Sequence, residues 1–77
     1  MPISEAELKK LVSQISRVPA EKIRPESAFR VELRMDSLAA LDLLTALEED
    51  HGVNISQEQA RGLTTYGQLL EFIKSRG

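Results

Sequence analysis

Ser37 stands directly after Asp36 at the head of a strongly amphipathic stretch, RMDSLAALDLLTALEED (residues 34–50). Aspartate is the better helix cap, because its carboxylate accepts from the free N–H groups of the first turn. With Asp36 as the cap, the Ser37 hydroxyl is free to point outward. A nucleophilic role needs a base within hydrogen-bond reach. The single histidine, His51, falls near the far end of the same helix, on the order of 20 Å away. No G-x-S-x-G elbow, Gly-rich phosphate loop or metal-ligand cluster occurs in the chain. Two readings of Ser37 remain. Serine is tolerated at a first helical position and needs no role there. Alternatively, the hydroxyl is a point of esterification. A phosphodiester here would face unsatisfied N–H groups and the positive end of the helix dipole, opposed slightly by the charge of Asp36.

The elements that position this residue are helical. Ser4 and Glu7 form an S-x-x-E capping box, with Ile3 and Leu8 as a hydrophobic staple. Leu8, Leu11, Val12 and Ile15 recur at helical spacing, and Val18-Pro19 predicts an end near Arg17. Residues 18–35 hold no sustained period. Phe29-Arg30-Val31-Glu32-Leu33 alternates as a strand would, but no second run is available to pair with it. A long ordered loop pinned by Ile23, Phe29 and Leu33 is expected instead. The second helix runs from Ser37 to about His51, with Gly52 suited to the left-handed stop. A short third helix follows Ser56, which pairs with Gln59 in another capping box, and ends at Gly62. The fourth begins near Thr65 and buries Leu69, Leu70, Phe72 and Ile73; Gly67 inside it costs about 1 kcal/mol relative to Ala. An all-α bundle of three main helices and one short helix follows.

Composition narrows the function classes. The 77 residues make one small domain, residues 1–77, without cysteine and hence without a disulfide frame, thiolate metal site or cysteine nucleophile. No apolar run reaches the length of a signal peptide or a membrane span, so a soluble, cytoplasmic protein is expected. The start at Met1 and the short tail Lys74-Ser75-Arg76-Gly77 favour a free-standing chain. The net charge of -2 and three aromatic residues argue against nucleic acid as a partner, and a DNA-binding bundle is disfavoured further by an acidic would-be recognition surface. All the negative excess sits on residues 36–50, which hold five acids and no base.

That segment has two apolar stripes. Ala40, Leu43, Leu44 and Leu47 form one, suited to a core. Leu38, Leu41 and Thr45 form another, beside Asp42, Glu48 and Glu49. Either the helix is central and both stripes are buried, or the second is an exposed apolar and acidic surface for a partner with basic residues.

Met35-Asp36-Ser37-Leu38, leading into an acidic helix that ends Leu47-Glu48-Glu49-Asp50, resembles the attachment site of acyl carrier proteins. The resemblance continues through VNISQEQARGLTTYGQLLEFI, with its Thr-rich start to the last helix, and upstream through ESAFRVELRMDSL; it covers essentially the whole chain. It implies a four-helix bundle of the acyl-carrier type. By resemblance, Ser37, with Asp36 beside it, accepts 4′-phosphopantetheine from coenzyme A through a phosphopantetheinyl transferase. The arm's thiol then holds acyl groups as thioesters for an acyl-loading ligase or synthase and for acyl-transfer enzymes of fatty-acid, polyketide or related specialised biosynthesis. The resemblance further implies a monomeric carrier that is itself no enzyme. Leu38, Leu41, Asp42, Thr45, Glu48 and Glu49 match the positions that meet partners. Phe29, Ala40, Leu43, Leu44, Leu47, Leu63 and Leu70 would line the space that shelters an acyl chain. A peptidyl or aminoacyl carrier is an alternative, although such carriers usually read G-G-x-S or H-S-L at the site. An unmodified helical interaction module is another.

The chain departs from the family pattern at several places. Arg34 stands where Gly is usual, Ala39 where an acid is common, and Arg30 and Val31 lie in a loop of usually acidic character. His51 stands where an aromatic is common and is read as a cation at the helix C-terminus. Arg61 adds positive charge near the third helix. These changes point to a specialised carrier with a dedicated ligase or synthase. Charge reversal at Glu48 and Glu49 is expected to slow transferase modification several-fold at low salt, with the difference shrinking at high salt. Rates equal to the parent chain at both ionic strengths would contradict a steering role for these acids.

Overall fold

The capping signals of the sequence translate directly into helix boundaries. The structure is a computed structural model and describes residues 2–76. Met1 and Gly77, on which the expectation of a free-standing chain partly rests, lie outside the described residues. Helix α1 (Glu5–Ser16) starts where the Ser4 hydroxyl accepts from the Glu7 N–H (3.1 Å) and the Glu7 carboxylate reaches back to the Ser4 N–H (3.4 Å). Two otherwise orphaned donors are thereby satisfied. A hydrogen bond from the Ser4 hydroxyl, then the one from its backbone, holds the Glu7 carboxyl below its usual range. Ile3 and Leu8 are both buried, which closes the staple. The helix stops at Arg17, in the left-handed region at φ 63°, just before Val18-Pro19.

The connection from residue 18 to 36 is ordered and mostly irregular. It contains one turn of 3₁₀ helix at Ala20–Lys22 that the sequence did not announce. Ile23 and Leu33 are buried and Phe29 is half-buried, so the three expected anchors hold the connection to the core; Met35 is a fourth, buried anchor. The alternating run 29–33 forms no strand. One isolated antiparallel bridge, Ala28 with Thr65, is the extended pairing present among the described residues.

Helix α2 (Ser37–His51) is capped by Asp36, whose Oδ1 accepts from the Ala39 N–H at 2.8 Å. It ends at Gly52, left-handed at φ 68°, whose N–H reaches the Glu48 carbonyl (3.0 Å). Helix α3 (Gln57–Arg61) carries the expected Ser56/Gln59 box, with both bonds at 3.0 Å. Helix α4 (Tyr66–Arg76) starts after Thr65, whose hydroxyl accepts from the Gln68 N–H at 3.2 Å, while Gln68 Oε1 accepts from the Thr64 N–H at 2.7 Å.

The core is built from the inner faces of three helices and the connection. Leu8 and Val12 of α1 meet Leu43 and Leu47 of α2, with Tyr66, Leu69, Leu70 and Ile73 of α4. Helix α3 buries none of its residues. Fully burying a side chain such as Leu47 contributes about 1.5–3 kcal/mol, and α2 is held chiefly through Leu43 and Leu47. Tyr66 packs among these residues, with Lys9 Nζ 5.9 Å from its ring centre. Burial, and secondarily the charge of Glu5, pushes its phenol above the ordinary range. No helix is long and apolar enough to cross a membrane among the described residues.

Gly67 has a positive role that helix propensity hides. Its N–H donates to the Pro25 carbonyl at 2.8 Å, and a Cβ at this position would lie 2.8 Å from that same oxygen. Only a residue without a side chain lets α4 and the connection approach so closely. Gly67→Ala is therefore expected to destabilise the fold by about 1–3 kcal/mol as overpacking does, against the gain of about 1 kcal/mol that propensity alone gives. Urea unfolding monitored by circular dichroism checks the sign.

Candidate functional site

Ser37 occupies the first position of α2 and is exposed. Its hydroxyl makes no hydrogen bond to any described residue, because Asp36 takes the capping role beside it. The residues leading into this corner explain how it is set. The Leu33 N–H donates to the Ala28 carbonyl (3.1 Å) and the Met35 N–H to the Phe29 carbonyl (2.7 Å), so the connection turns back on itself immediately before the helix. Arg34 makes the reversal at φ 51°. That is the left-handed region, where a side chain costs roughly 1–2 kcal/mol. The position where the attachment-site pattern usually has glycine is thus one whose backbone suits glycine.

A cleft of about 690 Å³ opens beside Ser37, between α2, the connection, α3 and the start of α4. Of the seven residues expected to shelter an acyl chain, Phe29, Ala40, Leu43, Leu44 and Leu63 line it. Leu47 and Leu70 do not. Leu47 is fully buried in the core along α2, and Leu70 lines a separate, more open depression with Glu5 and Phe72. In their place the cleft takes Leu69 from α4 and Met35 and Val31 from the connection. Helical periodicity places Leu47 and Leu70 on inward faces but says nothing about which side of the core is hollow. Val31 and Met35 carried a weaker signal, in the alternation of the connection. Arg30 and Arg61, noticed in the sequence as departures in charge, also line the cleft.

The second stripe of α2 faces water. Leu38 is 72% and Leu41 52% exposed, and Asp42, Thr45, Glu48 and Glu49 are exposed with them. The central-helix reading, with both stripes buried, is therefore set aside. With Val31, 67% exposed, these leucines are the exposed large apolar side chains among the described residues. Ser37 and Leu38 are chain neighbours, and Val31, Leu41 and Ser37 share the cleft. His51 ends α2 as a half-buried residue in its last turn, a position where positive charge favours the helix dipole. No group of three or more potential metal ligands is present among the described residues.

Comparison with known proteins assigns this arrangement to a class. Residues 6–73 match the family model described as "Phosphopantetheine attachment site". The chain is 39% identical over 69 residues to an acyl carrier protein of Thermosynechococcus vestitus, covering 90% of this chain and 85% of that one. It is 33% identical over 72 residues to an acyl carrier protein of Buchnera aphidicola, covering 94% and 91%. A third acyl carrier protein, from Saccharopolyspora erythraea, is 41% identical over 54 residues, covering 70% and 57%.

The chain belongs to the acyl carrier protein family, and 4′-phosphopantetheine is its covalently attached prosthetic group. That sets aside the unmodified interaction module. The residues at the head of α2 fit such a group. The Ser37 hydroxyl is exposed and without a partner, and the helix end beside it favours a phosphodiester anion. Arg34→Gly is expected to stabilise the protein by about 1 kcal/mol through relief of the left-handed backbone. An unchanged or lowered urea midpoint would show that the Arg34 side chain contributes more than its backbone costs.

Proposed function

We propose that Ser37 is the residue esterified by 4′-phosphopantetheine and that the chain carries acyl groups on it between enzymes of a specialised biosynthesis. The observation that supports this most directly is the free, exposed hydroxyl at the first position of α2 with its capping duty already taken by Asp36. When bound, the group supplies a thiol on a long flexible tether, and with it a thioester whose carbonyl is activated for transfer. This chain's own residues orient and shelter. Asp36 fixes the start of the helix, so Ser37 is presented in one geometry to a phosphopantetheinyl transferase. The cleft beside Ser37, with Phe29, Ala40, Leu43, Leu44 and Leu63 in its lining, gives an apolar cargo somewhere to leave water. Leu47 and Leu70 act in this reading as the packing behind that lining.

Leu38, Leu41, Asp42, Thr45, Glu48 and Glu49 form the surface that partner enzymes meet. The leucines supply the desolvated centre and the acids steer basic partners. The partners are the transferase, an acyl-loading ligase or synthase, and acyl-transfer enzymes, approached by a monomeric carrier in the cytoplasm. The chain makes and breaks no bond itself. The arginines at positions 30, 34 and 61 reduce the acidic character near Ser37 and favour a dedicated set of partners over the general fatty-acid machinery.

Incubation with coenzyme A and a promiscuous phosphopantetheinyl transferase, followed by intact-mass analysis, tests the assignment. One adduct is expected on the parent chain and none on Ser37→Ala, whose circular dichroism should match the parent. Retention of the adduct by Ser37→Ala would move the attachment elsewhere.

A further inference from the structure

The cleft beside Ser37 is apolar in its floor and cationic in part of its wall. Phe29, Leu43, Leu44 and Leu69 contribute hydrocarbon, while Arg30 from the connection and Arg61 from the end of α3 both contribute to the lining. No aspartate or glutamate lines the cleft. Neither guanidinium makes an ion pair or side-chain hydrogen bond with a described residue. The nearest acid in sequence to Arg30, Glu32, accepts from the Ala28 N–H at 2.6 Å, and Asp36 is occupied as the α2 cap. The two arginines therefore bring positive charge to the cleft with no anion in its lining.

Such a cleft discriminates between cargoes by their far ends. A chain ending in a methyl group gains from the apolar floor but offers the exposed Arg30 and Arg61 no partner. A chain ending in a carboxylate gains the same burial and also meets a planar, multi-donor cation suited to bidentate pairing. We propose that Arg30 and Arg61 form an anion-binding subsite of the cleft, and that this carrier is adapted to acyl groups bearing a terminal carboxylate, the half-thioesters of medium-length dicarboxylic acids. The proposal rests on attachment at Ser37. The anion chemistry has a second source, the phosphodiester of the arm itself, and the experiment separates the two.

The chain is loaded by a promiscuous transferase from coenzyme A, octanoyl-coenzyme A and the half-thioester of octanedioic acid with coenzyme A, and loading is verified by intact mass. Cleavage of each thioester by hydroxylamine is then timed, and the thermal midpoint of all three forms is measured. The carboxylate-ended cargo should be protected about tenfold more than the octanoyl cargo, the population shift expected of one charge-assisted pair. It should also give the higher midpoint. In Arg30→Gln/Arg61→Gln the two cargoes should become equal, while the unacylated holo form keeps its midpoint relative to the unmodified variant. Equal protection of the two cargoes on the parent chain overturns the proposal. So does a loss of midpoint in the holo variant as large as in the loaded one, which would assign the arginines to the arm's phosphate. An adduct retained by Ser37→Ala under the same loading would instead refute attachment at Ser37, and the mass spectrum reports that before any cargo is compared.

Discussion

The start of α4 is where this small structure is tied together. The first N–H groups of a helix have no partners within it, and here the connection before α2 supplies them. The Tyr66 N–H donates to the Ser27 carbonyl at 2.9 Å, the Gly67 N–H to the Pro25 carbonyl at 2.8 Å, and the Phe29 N–H returns a bond to the Thr64 carbonyl at 3.0 Å. Ser27 is itself buried, and its hydroxyl accepts from the Arg24 N–H at 3.0 Å. These bonds turn a stretch without regular secondary structure into a fixed wall. Without them Phe29 would have no defined place, the cleft would lose one side, and the approach to α2 would be loose.

The wall and the helix it leads into divide the work of the site. The backbone turns at Arg34, Asp36 caps, and Ser37 is left with a hydroxyl that the fold does not use. Inward from it, Leu43 and Leu47 anchor α2 in the core; outward, Leu38 and Leu41 are left in water. A chain of this size has little apolar surface to spare, and large side chains exposed together beside one free hydroxyl support the proposed contact surface. One helix thus faces core, cleft and solvent at once.

Charge is distributed unevenly around this site. The acids of α2 lie along its exposed face, while Arg30 and Arg61 border the cleft and Arg34 precedes the capping aspartate. Opposite signs are thus separated over a short distance around Ser37. In the proposed reading this arrangement acts on partner orientation and cargo choice; exposed ion pairs contribute little to folding. The one ion pair among the described residues, Lys74 with Glu5 at 3.6 Å, joins α4 to α1 and lies on exposed side chains.

Local signals were enough to read the helices and the place of Ser37 behind its capping aspartate. The Ser4/Glu7 and Ser56/Gln59 boxes, the Asp36 cap and the Gly52 stop each act within a few residues, so their outcome is written in the chain itself. The same holds for the exclusion of His51 as a partner of Ser37, because helical rise alone separates them. Long-range packing decided the rest. Gly67 reads as a helix weakness until Pro25 is placed against it, and Leu47 and Leu70 read like their neighbours until the hollow is located beside Phe29 and Leu63. The exposure of Leu38 and Leu41 belongs to the same group, since periodicity gives the angle of a side chain on its helix and only the packed neighbours determine whether that angle meets protein or water.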